Sequence, residues 1–307
     1  MRPRFLGHAA RGGAADHDSL SRQIVDDFAA APLLERGMAR ERAACTVAGG
    51  GHGVQAGSAT GRKIWPLRGR GRATHVSCDR AADTCSRSHC PLPAGSVMTV
   101  PIADSDVLLV VDVQNDFCPS GRLPVPRGDE VVPIINRLAR RFRHVVLTQD
   151  WHPAGHRSFA SSHPGRQPYE TITLAYGQQI LWPDHCVQGT PGAQLHSDLQ
   201  IPHAALVLRK GFRPAIDSYS AFYENDRKTP TGLSGYLRER GLTRVFAAGL
   251  ALDFCVRYSA EDARREGFAV AVIEDACRGI DVDGSVDATR GSFAALDVTA
   301  VTADAVR

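Results

Sequence analysis

From Val107 onward the chain alternates short unbroken apolar runs with segments whose apolar residues recur at helical spacing. Val107 to Val111 (VLLVV) has no polar position on either face, the pattern of a parallel strand covered on both sides, and it stops at Asp112. Asp129 to Arg141 then sets Val131, Val132, Ile135, Leu138 and Ala139 along one helical stripe, and His144 to Thr148 reads as the next strand. The alternation resumes with strand Ala205 to Leu208, helix Gly232 to Arg240, strand Val245 to Ala248 and helix Cys255 to Glu266. It closes with strand Ala269 to Ile273, helix Val286 to Leu296 and strand Val298 to Val301. Between the two series runs Trp151 to Pro202, rich in Pro, Gly and His and without a clear period. Connections of that length are uncommon in compact domains and are usually functional.

Six strands alternating with helices predict an α/β fold: an open six-stranded, mainly parallel sheet with helices on both faces, in three α/β/α layers. Such sheets bind ligands outside the carboxyl ends of their strands. The polar residues just beyond each strand are therefore the ones to weigh.

Composition alters this picture only at the N-terminal end. The 307 residues are 43% hydrophobic and carry a formal charge of +3. Residues 1–97 hold 14 Lys+Arg and 8 Asp+Glu, a net of +6, which leaves −3 for the rest. This leader, rich in Gly, Ala and Arg, offers one stretch with helical spacing, Ser19 to Leu34, and is expected to be loosely ordered. Its Arg62 to Arg72 run reads as a solvated tail, because no nucleic-acid fold signature accompanies it. Cys78, Cys85, His89 and Cys90 lack the paired C-x2-C spacing of a zinc site. The expected organisation is a low-pattern extension over 1–97, dispensable or upstream of the true start, and a folded unit over 98–307 that begins near Met98. No signal-peptide pattern and no membrane-length apolar run occur, so a cytoplasmic protein without membrane or nucleic-acid partners is expected; a homo-oligomer stays open. The widely spaced cysteines do not form a secreted disulfide framework.

Four residues at or just past strand ends can carry chemistry. Asp112 follows VLLVV, Asp150 follows HVVLTQ, Lys210 follows ALVLR, and Cys255 lies a few residues beyond VFAAG. Taken singly, Asp112 could cap a turn, Lys210 could be solvated and Cys255 could be an inert buried thiol. Together they make a nucleophile with its acid/base partner. A thiol at the start of the Cys255 helix and near Lys210 is expected to have a lowered pKa, and its own N–H could stabilise an oxyanion. Asp150 and His152 alternate as ligands on an extended segment, and His185 in WPDHC can complete a set suited to Zn, Fe or Mn. His156 is either a fourth ligand or a residue that steadies the loop behind the ligands.

Five blocks, DVQNDFCPSG, TQDWHPAGHRSFASSHPG, LWPDHCVQGTPGAQLH, KGFRPAIDSYSAF and GLALDFCV, resemble in the same order the nicotinamidase branch of the isochorismatase-like cysteine hydrolases. The resemblance spans Met98 to Arg307. It implies an Asp112, Lys210 and Cys255 triad that converts nicotinamide to nicotinate and ammonia through a Cys255 thioester, accepts pyrazinamide, and serves pyridine nucleotide salvage. It further implies an oxyanion hole from the N–H groups of Ala251 and Cys255, a cis peptide between Leu250 and Ala251, and Leu250 at the substrate. Phe117 and Trp182 match ring walls, with Tyr219 a further candidate. One divalent metal at Asp150, His152 and His185 would hold the pyridine nitrogen. Leu252 departs from the family, where a hydroxyl residue is common. The alternative within the family is a hydrolase of a carbamoyl or ureido substrate; outside it stands zinc-hydroxide hydrolysis without thiol chemistry.

Overall fold

The structure is a computed structural model that describes residues 99–307. The expectations for Ser19 to Leu34, Arg62 to Arg72, the Cys78 to Cys90 cluster and the boundary at Met98 lie outside the described residues.

Among the described residues, eight strands and four α-helices follow in order: β1 (Asp106–Val111), α1 (Val131–Ala139), β2 (His144–Asp150), β3 (Thr171–Leu174), β4 (Gly177–Ile180), β5 (Leu206–Lys210), α2 (Leu233–Glu239), β6 (Arg244–Leu250), α3 (Arg257–Arg265), β7 (Ala269–Arg278), α4 (Ser285–Ala295) and β8 (Thr299–Val301). Six of the strands form one sheet in the order β5-β2-β1-β6-β7-β8, every neighbouring pair parallel. The apolar runs explain the centre of that order. All residues of β1 are buried, as are all of β6 but its first, so both strands need cover on both faces. Right-handed crossovers from β1 to β2 and from β6 to β7 run in opposite directions along the sheet, which places α1 and α3 on opposite faces.

The order reverses between β1 and β6, and this is the topological switch point where α/β sheets bind ligands. The two chains approach closely there. Val111 pairs with Gly249, whose φ is +129°, and a Cβ at that glycine would meet the Val111 carbonyl oxygen at 2.1 Å. Only glycine lets β6 run past β1 and turn outward above it.

The strands are longer than their apolar cores predict. β2 continues through Gln149 to Asp150, β5 through Lys210, and β7 through Arg278. Pairing supplies the reason: Asp150 pairs with Lys210, and Leu250 with Arg278, so backbone hydrogen bonding carries each ladder past its last apolar residue. The segment from Trp151 to Pro202 is also more ordered than its sequence shows, because β3 and β4 form an antiparallel hairpin inside it. Among the described residues no helix is long and apolar enough to cross a membrane.

Candidate active site

Three strand ends deliver the central cluster. Asp112 is the residue after β1, Lys210 the last of β5, and Cys255 lies in a wide π-type turn, Leu252–Val256, between β6 and α3. Asp112 turns sharply off its strand at φ +47°, a region aspartate enters more readily than most residues. Its N–H donates to Thr148 Oγ1 at 3.1 Å and the Thr148 hydroxyl donates to Asp112 Oδ1 at 2.5 Å, which leaves Oδ2 for Lys210. The fully buried Lys210 ammonium meets Asp112 Oδ2 at 2.8 Å, the Ser218 carbonyl at 2.9 Å, Cys255 Sγ at 3.2 Å and Asp150 Oδ1. Four acceptors thus surround three N–H groups and fix the amine among two carboxylates and a thiol.

Electrostatics divide the two carboxylates. Burial works to raise Asp150, but the Lys210 ammonium and then His152 hold it well below the usual carboxylate range. Burial raises Asp112 above its ordinary value despite Lys210, and the Asp150 charge adds to the rise. Burial alone would lower Lys210, yet the Asp112 and Asp150 carboxylates keep it charged and well above the ordinary lysine value. This split suits Asp112 to exchanging a proton and Asp150 to staying ionised.

The thiol departs from expectation. Burial pushes Cys255 well above the usual cysteine range, with the Asp112 and Asp150 carboxylates opposing Lys210. Sequence reasoning gave weight to the helix start and the amine, whereas burial of the sulfur outweighs them. Burial thus favours the thiol form, and a thiolate would need a neighbour to take its proton. One donor atom each of Asp112, Asp150 and Cys255 lies within 4.8 Å of the others, so that neighbour is in reach.

Loop docking builds the second cluster. His152 N–H donates to the Cys186 carbonyl and Gln188 N–H to the His152 carbonyl, while Trp182 N–H donates to the Ser158 carbonyl at 2.8 Å. These bonds lay the WPDHCVQ stretch along residues 152 to 160 and bring His185 beside His152. Each ring has its Nδ1–H bound to a backbone carbonyl, of Gly211 for His152 at 2.9 Å and of Pro183 for His185 at 2.8 Å. That fixes both tautomers and leaves both Nε2 lone pairs free, 3.7 and 3.8 Å from Asp150 Oδ2. All three atoms lie within 4.8 Å of one another, near the limit of about 4.4 Å for two donors that each sit about 2.0–2.2 Å from one ion, so small side-chain shifts would seat a single metal ion. The field agrees. Burial disfavours a charged His152, yet Asp150 and Asp217 raise its pKa, an environment that welcomes positive charge.

His156 lies next to this cluster, with one donor atom each of His152, His156 and Asp217 within 4.8 Å of the others, and its ring has partners of its own. Its Nε2–H donates to the Arg213 carbonyl at 2.9 Å and its Nδ1 pairs with the Ser158 hydroxyl at 2.7 Å, so both ring nitrogens already have protein partners.

A cleft of about 320 Å³ joins the clusters, lined among others by Phe117, Trp182, Ala251 and Cys255 together with Asp150 and His185. The peptide between Leu250 and Ala251 is cis. Leu250 itself is fully buried, and Ala251 rather than Leu250 lines the cleft. Tyr219 lines it too and accepts a hydrogen bond from Trp182 Nε1 at 3.0 Å. Sequence reasoning passed over Thr148, Asp217, Phe254 and Ile280. Thr148 alone had a visible signal, the first polar residue after the apolar run VVL of its strand.

A buried thiol, a carboxylate with a raised pKa and an ammonium at the switch of a parallel sheet are the equipment of a cysteine hydrolase. The chain belongs to the isochorismatase domain family, whose model matches residues 106–304. A nicotinamidase of Acinetobacter baylyi is 55% identical over 184 residues, which are 60% of this chain and 86% of the relative. The structure of a nicotinamidase and pyrazinamidase from Acinetobacter baumanii shares 53% identity at a TM-score of 0.65, over 66% of this chain and 98% of that one. A protein from L. infantum solved in complex with nicotinate shares 38% identity at a TM-score of 0.60, over 68% of this chain and 98% of that one.

Proposed function

We propose that the chain hydrolyses the carboxamide of nicotinamide to nicotinate and ammonia through a thioester on Cys255, and that it also accepts pyrazinamide. The observation that carries this reading is Lys210 Nζ within reach of Asp112, Asp150 and Cys255 at once. Nicotinamidase relatives at up to 55% identity supply the substrate.

Asp112 takes the Sγ proton, and the thiolate adds to the carboxamide carbon. The N–H groups of Ala251 and Cys255 face the developing oxyanion. Asp112 returns the proton to the amide nitrogen, the C–N bond breaks, and ammonia leaves a thioester. Water then attacks that carbon and gives a proton to Asp112, which hands it back to sulfur as the C–S bond breaks. Lys210 holds Asp112 and the sulfur in register and stabilises each anionic stage.

Asp150, His152 and His185 would hold one divalent ion of the Zn, Fe or Mn type, which when bound supplies a Lewis acid for the pyridine nitrogen. Phe117 and Trp182 give the ring its walls, a feature that a small carbamoyl or ureido substrate would not need. We place the product in cytoplasmic pyridine nucleotide salvage, and we assign the whole activity to residues 98–307. Ammonia release from nicotinamide tests the reading. Turnover of a ureido acid in preference to nicotinamide would replace it with the alternative.

A further inference from the structure

Cys255 ends a run of three residues that face three different ways. Asp253, buried, accepts N–H bonds from Ile280 at 3.0 Å and Asp281 at 2.7 Å and the Ser285 hydroxyl at 2.5 Å, and so ties the 280–285 loop to the nucleophile turn. Phe254 stands edge-on to Trp182 at 4.9 Å and Tyr219 at 5.6 Å between ring centroids. It lines two cavities: the cleft that contains Cys255, and an outer cleft of about 660 Å³ between the β3–β4 hairpin and the start of α4. The loop held by Asp253 follows the same division, with Ile280 on the inner cleft and Val282 and Ser285 on the outer one. The proposed reaction gives the outer cleft no role.

Substrate geometry gives it one. On a pyridine-3-carboxamide, C5 is the ring position meta to both the nitrogen and the carboxamide carbon. A ring with its carboxamide at Cys255 and its nitrogen toward Asp150, His152 and His185 therefore turns C5 away from both clusters, toward the remaining walls. Phe254 is the wall that the inner cleft shares with the outer one, and Tyr169, Ile180, Tyr258 and Val282 give the outer cleft an aromatic and apolar lining. The one buried cation there, Arg257, is already bound to Glu261 at 2.7 Å. Two carboxylates also line it, Asp253, bound into the 280–285 loop, and the exposed Asp283, so the lining suits an uncharged group and disfavours an anion.

We propose that the outer cleft is a second subsite, that it receives apolar or aromatic substituents on C5 of the pyridine carboxamide, and that Phe254 sets how large they can be. The inference rests on the nicotinamide reading above and extends it to 5-substituted substrates.

The test is kcat/KM for ammonia release from nicotinamide, 5-methylnicotinamide and 5-phenylnicotinamide by the full chain and two variants. Phe254→Ala opens the shared wall and should raise the 5-phenyl to nicotinamide ratio by about tenfold or more, the scale on which apolar pockets discriminate. Ala288→Trp, placed on α4 in the outer cleft only, should lower that ratio by about tenfold while nicotinamide itself stays within about threefold. Because Phe254→Ala also disturbs the inner cleft, Ala288→Trp reads the outer cleft alone. Nicotinamide turnover with the ratio unmoved by Ala288→Trp would overturn the subsite. Absence of ammonia from nicotinamide with the unaltered chain would instead overturn the reading beneath it.

Discussion

The two clusters touch through the Lys210 to Asp150 contact, yet they are assembled in different ways. Asp112, Lys210 and Cys255 stand at the ends of β1, β5 and β6, where strand register and an obligatory Gly249 set their places. His152 and His185 are held by a loop of fifty residues' span whose order comes from docking on itself: the WPDHC stretch pairs with residues near His152, and carbonyls of Gly211 and Pro183 orient the rings. On the proposed mechanism, sheet geometry supplies the bond-breaking group, and loop geometry supplies the group that aims the ring. The first should tolerate no substitution. The second should lose position before it loses chemistry.

Cys255→Ala should separate the clusters most sharply. Nicotinamide turnover should fall by roughly 10⁴-fold or more, the scale seen when a nucleophile is removed, while bound metal, read by elemental analysis, stays at the unaltered level. Equal activity in this variant would assign the chemistry to the histidine cluster instead. His185→Ala, or chelation of the intact protein, should do the reverse. Metal content should drop, alkylation of Cys255 should proceed as before, and kcat/KM should fall by about 10²-fold, the cost of a misaimed substrate.

The same contrast governs how much could be read from sequence. The strand ends were legible because a buried parallel strand announces itself as an apolar run, and Asp112 and Cys255 follow such runs. Lys210 and Asp150 sit inside their strands, not after them, since backbone pairing extends past the apolar residues. The β3–β4 hairpin was invisible: TITL and GQQI flank Ala175 and Tyr176 with little alternation, and their residues are mostly half-exposed. Asp150, His152 and His185 were found from residue type and spacing, but His156 could not be resolved that way, because the carbonyls that occupy it come from Arg213 and Ile216, 57 and 60 residues away. The direction of the Cys255 shift was misjudged for a related reason. Helix position is local and readable, whereas burial beside two carboxylates is not.

Thr148 tests the proton-exchanging side at smaller scale. Its hydroxyl donates to Asp112 Oδ1, which favours the ionised acid and opposes the rise that burial imposes. Asp112 must be ionised to accept the thiol proton, so kcat/KM should fall as pH drops through its raised pKa. Thr148→Val removes the opposing bond, raises that pKa further, and should move the acid limb of the profile to higher pH by up to about one unit, one hydrogen bond's worth. An unmoved acid limb would show that another group controls it. Metal content should be unaffected, which again keeps the two clusters distinct.

His156→Ala should have the smallest catalytic effect of these and sharpens the boundary of the loop-built cluster. The ring is fully buried, and it ties the loop at Ser158 to the Arg213 and Ile216 carbonyls. Burial lowers its pKa, so it serves as a neutral link. Its removal leaves those carbonyls and a cavity behind. The melting temperature should fall by about 2–4 °C for each kcal/mol lost, read by thermal unfolding, while metal stoichiometry holds and kcat/KM declines less than for His185→Ala. If metal is lost to the same extent as in the His185 variant, His156 is a ligand and the loop supplies three imidazoles rather than two.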